Sequence, residues 1–466
     1  MADFLFVPAS DSKIPLYEQI YRHVVEEIRA GRLGEGDKLP SKRALAAHLG
    51  VSLSTVEGGY GLLVAEGYVR PVPRSGYRVC AVAAPELPAA AVPAKTLYNP
   101  PAAADRFPAL SDSFSTAAVD TSVFPYAAWA RLMRTAVQEP ALLQRGHPQG
   151  DLPLREALCA FLHQYRGVNC RPEQVVVGAG MEYLLDVLLQ LLPGRGPIGL
   201  EDPGYRAVYR SVENMQRPFL PLPVDNQGLQ PEALEKSGAG AVYVTPSHQF
   251  PMGVTMPAPR RAALLRWAYA APGRYIVEDD YDSEFRYTSR PIPAMQGGDK
   301  GGRVVYTGTF SRSIAPSIRA AYLILPEGLL PAYRERFAHG ASTVSRFEQW
   351  VLANFLSSGQ YARHLRRVAG LYRARCAALT DALERAFPGG AVSGNDAGLH
   401  LLLTLPGRED GELTAAAARA GYRVHALGEY CHGPSPLPGT LVLGFAGLET
   451  ERAAEAAEDL RRAIEG

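Results

Sequence analysis

The stretch RVVYTGTFSRSIAPSIR, residues 303–319, carries the pattern that organises most of this chain. Arg303–Thr307 is an apolar, strand-like run. Behind it stand hydroxyls at Thr309 and Ser311 and a guanidinium at Arg319, groups suited to a phosphate. Upstream the pattern repeats: strand-like runs at Gln174–Val177, Ile198–Leu200, Ala241–Val244 and Tyr275–Glu278 alternate with amphipathic stretches such as Glu182–Leu192 and Arg260–Tyr269. That order predicts an α/β fold with a mostly parallel sheet. From about Arg346 helices dominate, followed by strands at His400–Thr404 and Leu441–Phe445, which read as a smaller α+β C-terminal lobe. The expected limits are 105–345 for the large domain and 346–466 for the small lobe.

Residues 81–104 are rich in Ala and Pro. Repeated prolines deny helix and sheet their backbone donors, so the segment reads as an extended linker. A loop folded onto the large domain would satisfy the same composition. Residues 1–80 form a head that reads helix, helix, helix, hairpin: an α+β winged helix-turn-helix. Pro15 opens the first helix, and Leu16, Ile20, Val24 and Ile28 make one apolar stripe. Ser41 and Ser52 are placed to cap the next two helices. Gly67 stops the third, and YVRPVPRSGYRV (68–79) turns as a two-stranded wing would.

Composition narrows the function classes. A chain of 466 residues, 47% hydrophobic and 20% charged, implies two or more globular domains. The net charge of +1 supplies no bulk field for nucleic acid or membrane, so any DNA-binding surface is local. Five scattered cysteines without a C-x-x-C pair argue against a disulfide framework or a zinc site, and no metal is expected. No leader pattern stands at the N-terminus, and no run approaches the roughly 18 apolar residues of a spanning helix. A soluble, cytoplasmic protein is expected.

The head's charge is local. Between residues 41 and 79, Lys42, Arg43, Arg70, Arg74 and Arg78 face only Glu57 and Glu66. Lys42, Arg43, Ser52, Ser54 and Thr55 are candidates for phosphates and base edges, with Arg74 and Ser75 at the wing tip for backbone or minor groove. The same residues suit a small helical domain with ordinary surface arginines, or a helix-turn-helix that contacts protein. Residues 15–79 resemble the GntR-type winged helix through P-L-Y-x-Q-I, G-x-L-x-x-G-x-x-L-P-S-x-R, L-G-V-S-x-x-T-V and E-G-Y. The resemblance implies binding to double-stranded operator DNA. Two departures stand out: Leu53 occupies a position often held by Arg, and Gly58, Gly59 and Gly61 interrupt the third helix. Each glycine costs roughly 0.8–1 kcal/mol against Ala, which predicts a helix that stays soft until bound.

In the body, Gly178–Glu182 follows a strand and opens a helix, where free backbone N–H groups can cradle a phosphate. Alone, such glycines are usually just a turn. Glu278–Asp282 (EDDYD) ends an apolar strand, where a carboxylate can hold a protonated pyridine nitrogen; a solvated or metal-binding acidic loop reads equally well. Together with GAGMEYLLDVLLQLL, EDPGY, TPSHQFPMG and AGLHLLL, these strings resemble the class I, fold type I aminotransferase-like domain of the MocR branch of GntR regulators. The resemblance covers most of residues 110–450 and implies pyridoxal 5′-phosphate. It implies Asp279 at the pyridine nitrogen, Tyr281 near the ring hydroxyl and Tyr205 against the ring face. It places Thr309, Ser311 and Arg319 at the phosphate beside Gly180 and Met181, with His248 and Gln249 toward the ring hydroxyl.

In that family the strand-end motif reads T-F-S-K and its lysine forms the Schiff base; here the position is Arg312. A guanidinium, with a pKa above about 12, offers no free amine. Three explanations stay open: noncovalent binding of the cofactor, its amine form or a cofactor–amino acid adduct, with Arg312 adding polar contacts; drift to another anionic effector; or an engineered Lys→Arg change. The stretch Ala426–Leu448 also lacks Arg and Lys, leaving His432 and Arg423 as the nearest basic groups for a substrate carboxylate. The leading reading is a DNA-binding regulator, expected as a homodimer, responding to a small-molecule effector without turnover. Two others remain: an active aminotransferase with an accessory head, and a constitutive DNA-binding or scaffold protein with an inert body.

Overall fold

Three helices build the head, α1 (Leu16–Arg29), α2 (Lys42–Leu49) and α3 (Leu53–Ala65), followed by the hairpin β1 (Val69–Val72) and β2 (Gly76–Val79). The computed structural model describes Phe6, Pro8 and residues 14–81, 113–194, 196–288 and 292–466. The expected linker, 81–104, lies outside them apart from Ala81. The α1 stripe buries Ile20 and Val24 against Leu45, Val56, Tyr60, Leu63, Val69 and Val79. Gly50 ends α2 in the left-handed region at φ 65°. Gly58 and Gly59 of α3 have a packing reason: a Cβ on Gly59 would stand 2.8 Å from the Tyr17 carbonyl oxygen, and one on Gly58 3.3 Å from Tyr17 Cβ. They let α1 and α3 approach closely, and the softness expected of α3 is opposed by that contact.

The body opens with α4 (Tyr126–Ala136) and α5 (Leu152–Arg166). Its strands β3 (Val175–Gly178), β4 (Ile198–Asp202), β5 (Phe219–Asp225), β6 (Gly228–Leu229), β7 (Ala241–Val244), β8 (Tyr275–Asp279), β9 (Val304–Thr309) and β10 (Ala321–Ile324) form one sheet ordered β3-β10-β9-β8-β7-β4-β5-β6. The run β9-β8-β7-β4-β5 is parallel; β10 is antiparallel to both of its neighbours, as is β6 to β5. The α/β, mostly parallel expectation therefore holds. Strand side chains alternate: Val305 and Val277 face α6 (Met181–Leu191) and α7 (Arg206–Asn214), while Val304, Tyr306 and Ile276 face the opposite layer. That layer holds α5, α8 (Pro231–Lys236), α9 (Ala258–Tyr269) and α11 (Arg346–Ser357), and α10 (Leu330–Phe337) completes the first. Both faces are covered, as a parallel sheet requires. No helix among the described residues is long and apolar enough to cross a membrane.

Strands β11 (Ala391–Ser393), β12 (His400–Thr404), β13 (His425–Ala426) and β14 (Thr440–Gly444) form an antiparallel sheet, ordered β11-β12-β14-β13. It packs with α12 (Gln360–Ala386), α13 (Asp410–Arg419) and α14 (Ala453–Glu465). The hydrophobic cores meet inside α12 rather than at residue 346. Leu352, Phe355, Tyr361 and Leu365 pack on the large sheet, and the small-lobe core begins at Val368. Residues 113–117 also belong with that lobe: Phe114 fills its core, and the Gly444 N–H donates to the Phe114 carbonyl at 2.9 Å.

Candidate functional site

In the head, Ser52 Oγ accepts from the Thr55 N–H at 3.1 Å and shares hydrogen bonds with Ser54 Oγ (2.8 Å) and Thr55 Oγ1 (2.7 Å). Three hydroxyls thus gather at the start of α3. Ser41 caps α2 by the same chemistry, accepting from Ala44 N–H at 3.1 Å. Arg43 and Arg74 are exposed, and Arg74 stands at the wing turn with φ 61°; the adjoining Ser75 N–H closes that turn on Val72 O at 3.0 Å. Lys42 differs from its neighbours. Its Nζ lies 2.8 Å from Glu57 Oε1, so its charge is already matched within the head. Arg78 likewise donates to Gly36 O at 2.6 Å and holds the wing base.

In the body, a cavity of about 210 Å³ opens at the carboxyl ends of β8 and β9, where open parallel sheets hold ligands. Met181, Tyr205, Asp279, Tyr281, Thr309, Ser311, Arg312 and Arg319 all line it, joined by Ala117, Glu182, Thr245, Phe250 and Pro316. Asp279 is buried at the end of β8. Its Oδ1 accepts from Thr307 Oγ1 at 3.0 Å, its cross-strand partner in β9, and its other oxygen accepts from Tyr243 OH. Burial pushes this carboxyl up to about 6, with the two hydroxyl donors opposing the rise. A buried acid poised near neutrality favours a ligand that brings a proton or positive charge. The next residue, Asp280, turns to the opposite side and pairs with Arg166 at 2.7 Å, both buried.

The opposite requirement is met at α6. Its N-terminus carries no side-chain cap, Gly180 holds φ 95°, and Arg319 lies across it. A Cβ at Gly180 would fall 2.2 Å from Arg319 Nη2, so only glycine leaves room for that guanidinium. Arg319 pairs with Glu182 at 2.8 Å, both half-exposed. Ser311 N–H donates to Thr309 Oγ1 at 3.1 Å. N–H groups without a side-chain cap, two hydroxyls and a guanidinium are the kinds of group that could hold a phosphate, with the Asp279 carboxyl also in the cavity wall. The residues present therefore fit pyridoxal phosphate.

Three expected residues are not among those lining the cavity: Gly180, which leaves room for Arg319 at the start of α6, and Gln249 and His248. Gln249 is buried and turned to the backbone, donating to Pro203 O (2.9 Å) and Phe250 O (2.7 Å) and accepting from Met252 N–H (3.0 Å). The loop presents Phe250 to the cavity instead, its ring 5.6 Å from that of Tyr205. His248 sits behind Tyr281: its Nδ1 lies 2.9 Å from Asp282 Oδ2 and 3.0 Å from Tyr281 OH. The chain's own geometry makes it a support for Tyr281. His432 is also elsewhere; its ring packs at a tilt on Tyr209, centroids 4.2 Å apart, in a separate surface groove with Arg206 and Arg210. Arg312 lines the cavity and donates to the Thr116 carbonyl. Thr245 was missed: its hydroxyl donates to Glu201 Oε2 at 2.6 Å, a buried carboxyl that burial pushes up to about 7.

A winged helix-turn-helix followed by an aminotransferase-like body defines a class of transcription regulator. Residues 16–79 match the gntR family of bacterial regulatory proteins, and residues 117–460 match aminotransferase class I and II. The chain is 38% identical to the uncharacterized HTH-type transcriptional regulator YdeL of Bacillus subtilis, over 97% of each chain. It is 34% identical to the probable rhizopine catabolism regulatory protein MocR of Rhizobium meliloti, over 97% of this chain and 94% of that one. An archaeal alanine:glyoxylate aminotransferase superimposes with a TM-score of 0.69 at 23% identity, covering 76% of this chain and 90% of that one, a likeness of fold. The chain belongs to the MocR branch of the GntR family: it is a DNA-binding transcription regulator with an aminotransferase-like domain.

Proposed function

We propose that this regulator binds pyridoxal 5′-phosphate or a phosphorylated derivative noncovalently in the body's cavity, and that occupancy changes its affinity for operator DNA without transaminase turnover. The observation that carries the reading is the cavity's lining. Asp279, Tyr205, Ser311, Arg319 and the α6 N-terminus stand together, while the cations among the lining residues are Arg312 and Arg319 and none is lysine. When bound, the cofactor supplies an electron-withdrawing ring and an aldehyde. The chain's part is to neutralise its phosphate through Arg319, Ser311 and Thr309, to hold a proton between Asp279 and the ring nitrogen, and to cover the ring with Tyr205. An arginine at 312 cannot act as the amine nucleophile or carry protons at neutral pH.

On the DNA side, Arg43, Arg74 and Ser75 supply phosphate contacts, and Ser52, Ser54 and Thr55 begin the helix that enters the major groove. Lys42 joins them once its pairing with Glu57 is exchanged for a phosphate. The body exposes Tyr126, Val137, Leu143 and Leu152, apolar side chains that a second copy would cover, in keeping with a homodimer on two half-sites.

The test is a titration of the purified full-length protein with pyridoxal phosphate, followed by absorbance, thermal shift and operator affinity. The expected result is a free-aldehyde band, lost on dialysis, with no cofactor mass fixed by borohydride and a change in operator affinity. Turnover of an amino donor, or no binding at millimolar cofactor, sinks the proposal.

A further inference from the structure

Cys159 lies within α5 and Cys170 eleven positions further along the chain, yet their sulfurs are 3.5 Å apart. The turn that joins them is made at Gly167, which ends α5 in the left-handed region at φ 65°. Its N–H donates to His163 O, and the Val168 N–H donates to Leu162 O. The chain thereby doubles back, and Cys170 meets the helix face that carries Cys159. Both side chains are half-buried against the core on that side of the sheet. Cys170 also borders a surface cavity of about 580 Å³ at the amino ends of β8 and β9, the opposite end from the ligand cavity.

The two sulfurs are not equivalent. Cys170 donates its S–H to the Cys159 sulfur, and that bond, helped by the Arg155 guanidinium, holds the Cys159 thiol below its ordinary range against the opposing effect of burial. The same contact, with burial, pushes Cys170 up. A thiolate-prone sulfur touching a protonated one is the arrangement of an attacking and a resolving cysteine. Cys376 and Cys431 instead donate to the Asn395 and Leu427 carbonyls, and burial pushes them up to about 12 and about 11.

We propose that Cys159 and Cys170 form a reversible oxidation site for small hydroperoxides, closing to a disulfide that clamps the end of α5 to the segment entering β3. The Cys159 thiolate attacks one peroxide oxygen, the O–O bond breaks, and the departing hydroxide takes up a proton as water. The Cys170 sulfur then attacks the resulting sulfenic acid, and its proton leaves with the hydroxyl as a second water. Two thiols and one hydrogen peroxide thus give one disulfide and two waters, with two electrons passing from sulfur to oxygen. The inference does not rest on the cofactor reading. Its mechanical consequence is local: α5 ends on Arg166, which pairs with the buried Asp280 at 2.7 Å and donates to Ser247 Oγ at 2.8 Å. The clamp stiffens the turn that follows that residue.

The test treats reduced full-length protein with hydrogen peroxide, blocks the remaining thiols and maps the peptides by mass. The expected product is a Cys159–Cys170 cross-link two hydrogens lighter than the reduced pair and reopened by dithiothreitol. It should form at least about tenfold faster than Cys376 or Cys431 is oxidised, as their smaller thiolate fractions require. In Cys170→Ser, dimedone should label the sulfenic acid stranded at Cys159. Hydrogen exchange over residues 167–174 should slow on oxidation and recover on reduction. Free thiols at both positions once Cys376 and Cys431 have reacted, or dimedone labelling of Cys159 as strong in the wild type as in Cys170→Ser, overturns the site. A cross-link that leaves the exchange unchanged overturns the clamp.

Discussion

Replacing Asp279 with Asn keeps the side chain's shape while removing its charge. In the native protein the carboxylate is buried, bonded to Tyr243 and Thr307, and pushed up to about 6. A charge-assisted hydrogen bond to a protonated ring nitrogen contributes about 1.5–3 kcal/mol, so Asp279→Asn should weaken pyridoxal phosphate binding about 10–150-fold at pH 7. The sign with pH follows from the raised value. Without ligand the carboxyl holds its proton up to about pH 6, and a pyridinium ligand requires the ionised form. At pH 5 only about one carboxyl in eleven is ionised, so the wild-type advantage should shrink about tenfold between pH 7 and 5. The ligand's phosphate also titrates near pH 6, but it does so for both proteins and cancels in the ratio. The measurement is a fluorescence titration of both proteins at three pH values. An Asp279→Asn variant that binds as tightly as wild type, or a ratio that does not move with pH, refutes the placement of the ring nitrogen against Asp279.

Arg312→Lys should restore an amine to the cavity, and pyridoxal phosphate should then remain on the protein after borohydride, as a mass increase on residue 312 in a peptide map. In the head, Gly59→Ala and Gly61→Ala should differ in sign. A Cβ at Gly61 meets open space and gains about 0.8–1 kcal/mol of helix propensity, whereas at Gly59 it meets Tyr17 O at 2.8 Å and overpacking costs about 1–3 kcal/mol. Hydrogen exchange of α1 and α3 peptides in the full chain reads both, and equal protection in the two variants counts against the packing argument. Arg166→Met should leave Asp280 buried without its cation and cost about 3–5 kcal/mol in urea unfolding of the body.

The elements with strong periodicity are legible in the sequence: the head's three helices, the caps at Ser41 and Ser52, and the central parallel strands. Strand β5 was not, because FLPLPVD carries two prolines that argue against a strand; they are tolerated where β5 meets only the two-residue β6 on its outer side. The cavity's main residues were legible because they stand at strand ends and a helix start within short motifs. What escaped was anything set by register. Thr307 faces Asp279 only because β9 pairs with β8 in that register, and Tyr243 reaches the same carboxylate from β7, the strand on β8's other side. Asp279 and Asp280 are adjacent in sequence and opposite in role, as alternation along a strand dictates. His248 and Gln249 were misplaced for a similar reason: a loop's fold, not its letters, decides that Phe250 reaches the cavity.

The segment 113–120 has a practical meaning for anyone dividing this protein. Phe114 fills the small-lobe core, Thr116 receives Arg312, Ala117 forms part of the cavity wall, and Asp120 pairs with Arg375 at 2.5 Å. These residues are the first described ones after the stretch leading from the head. A body cut free at residue 124, just before the first long helix begins at Tyr126, would lose a wall of its own ligand site and a plug of its own core. A clean excision has to begin before Ser113, and a head exchanged between relatives has to leave that segment with the body.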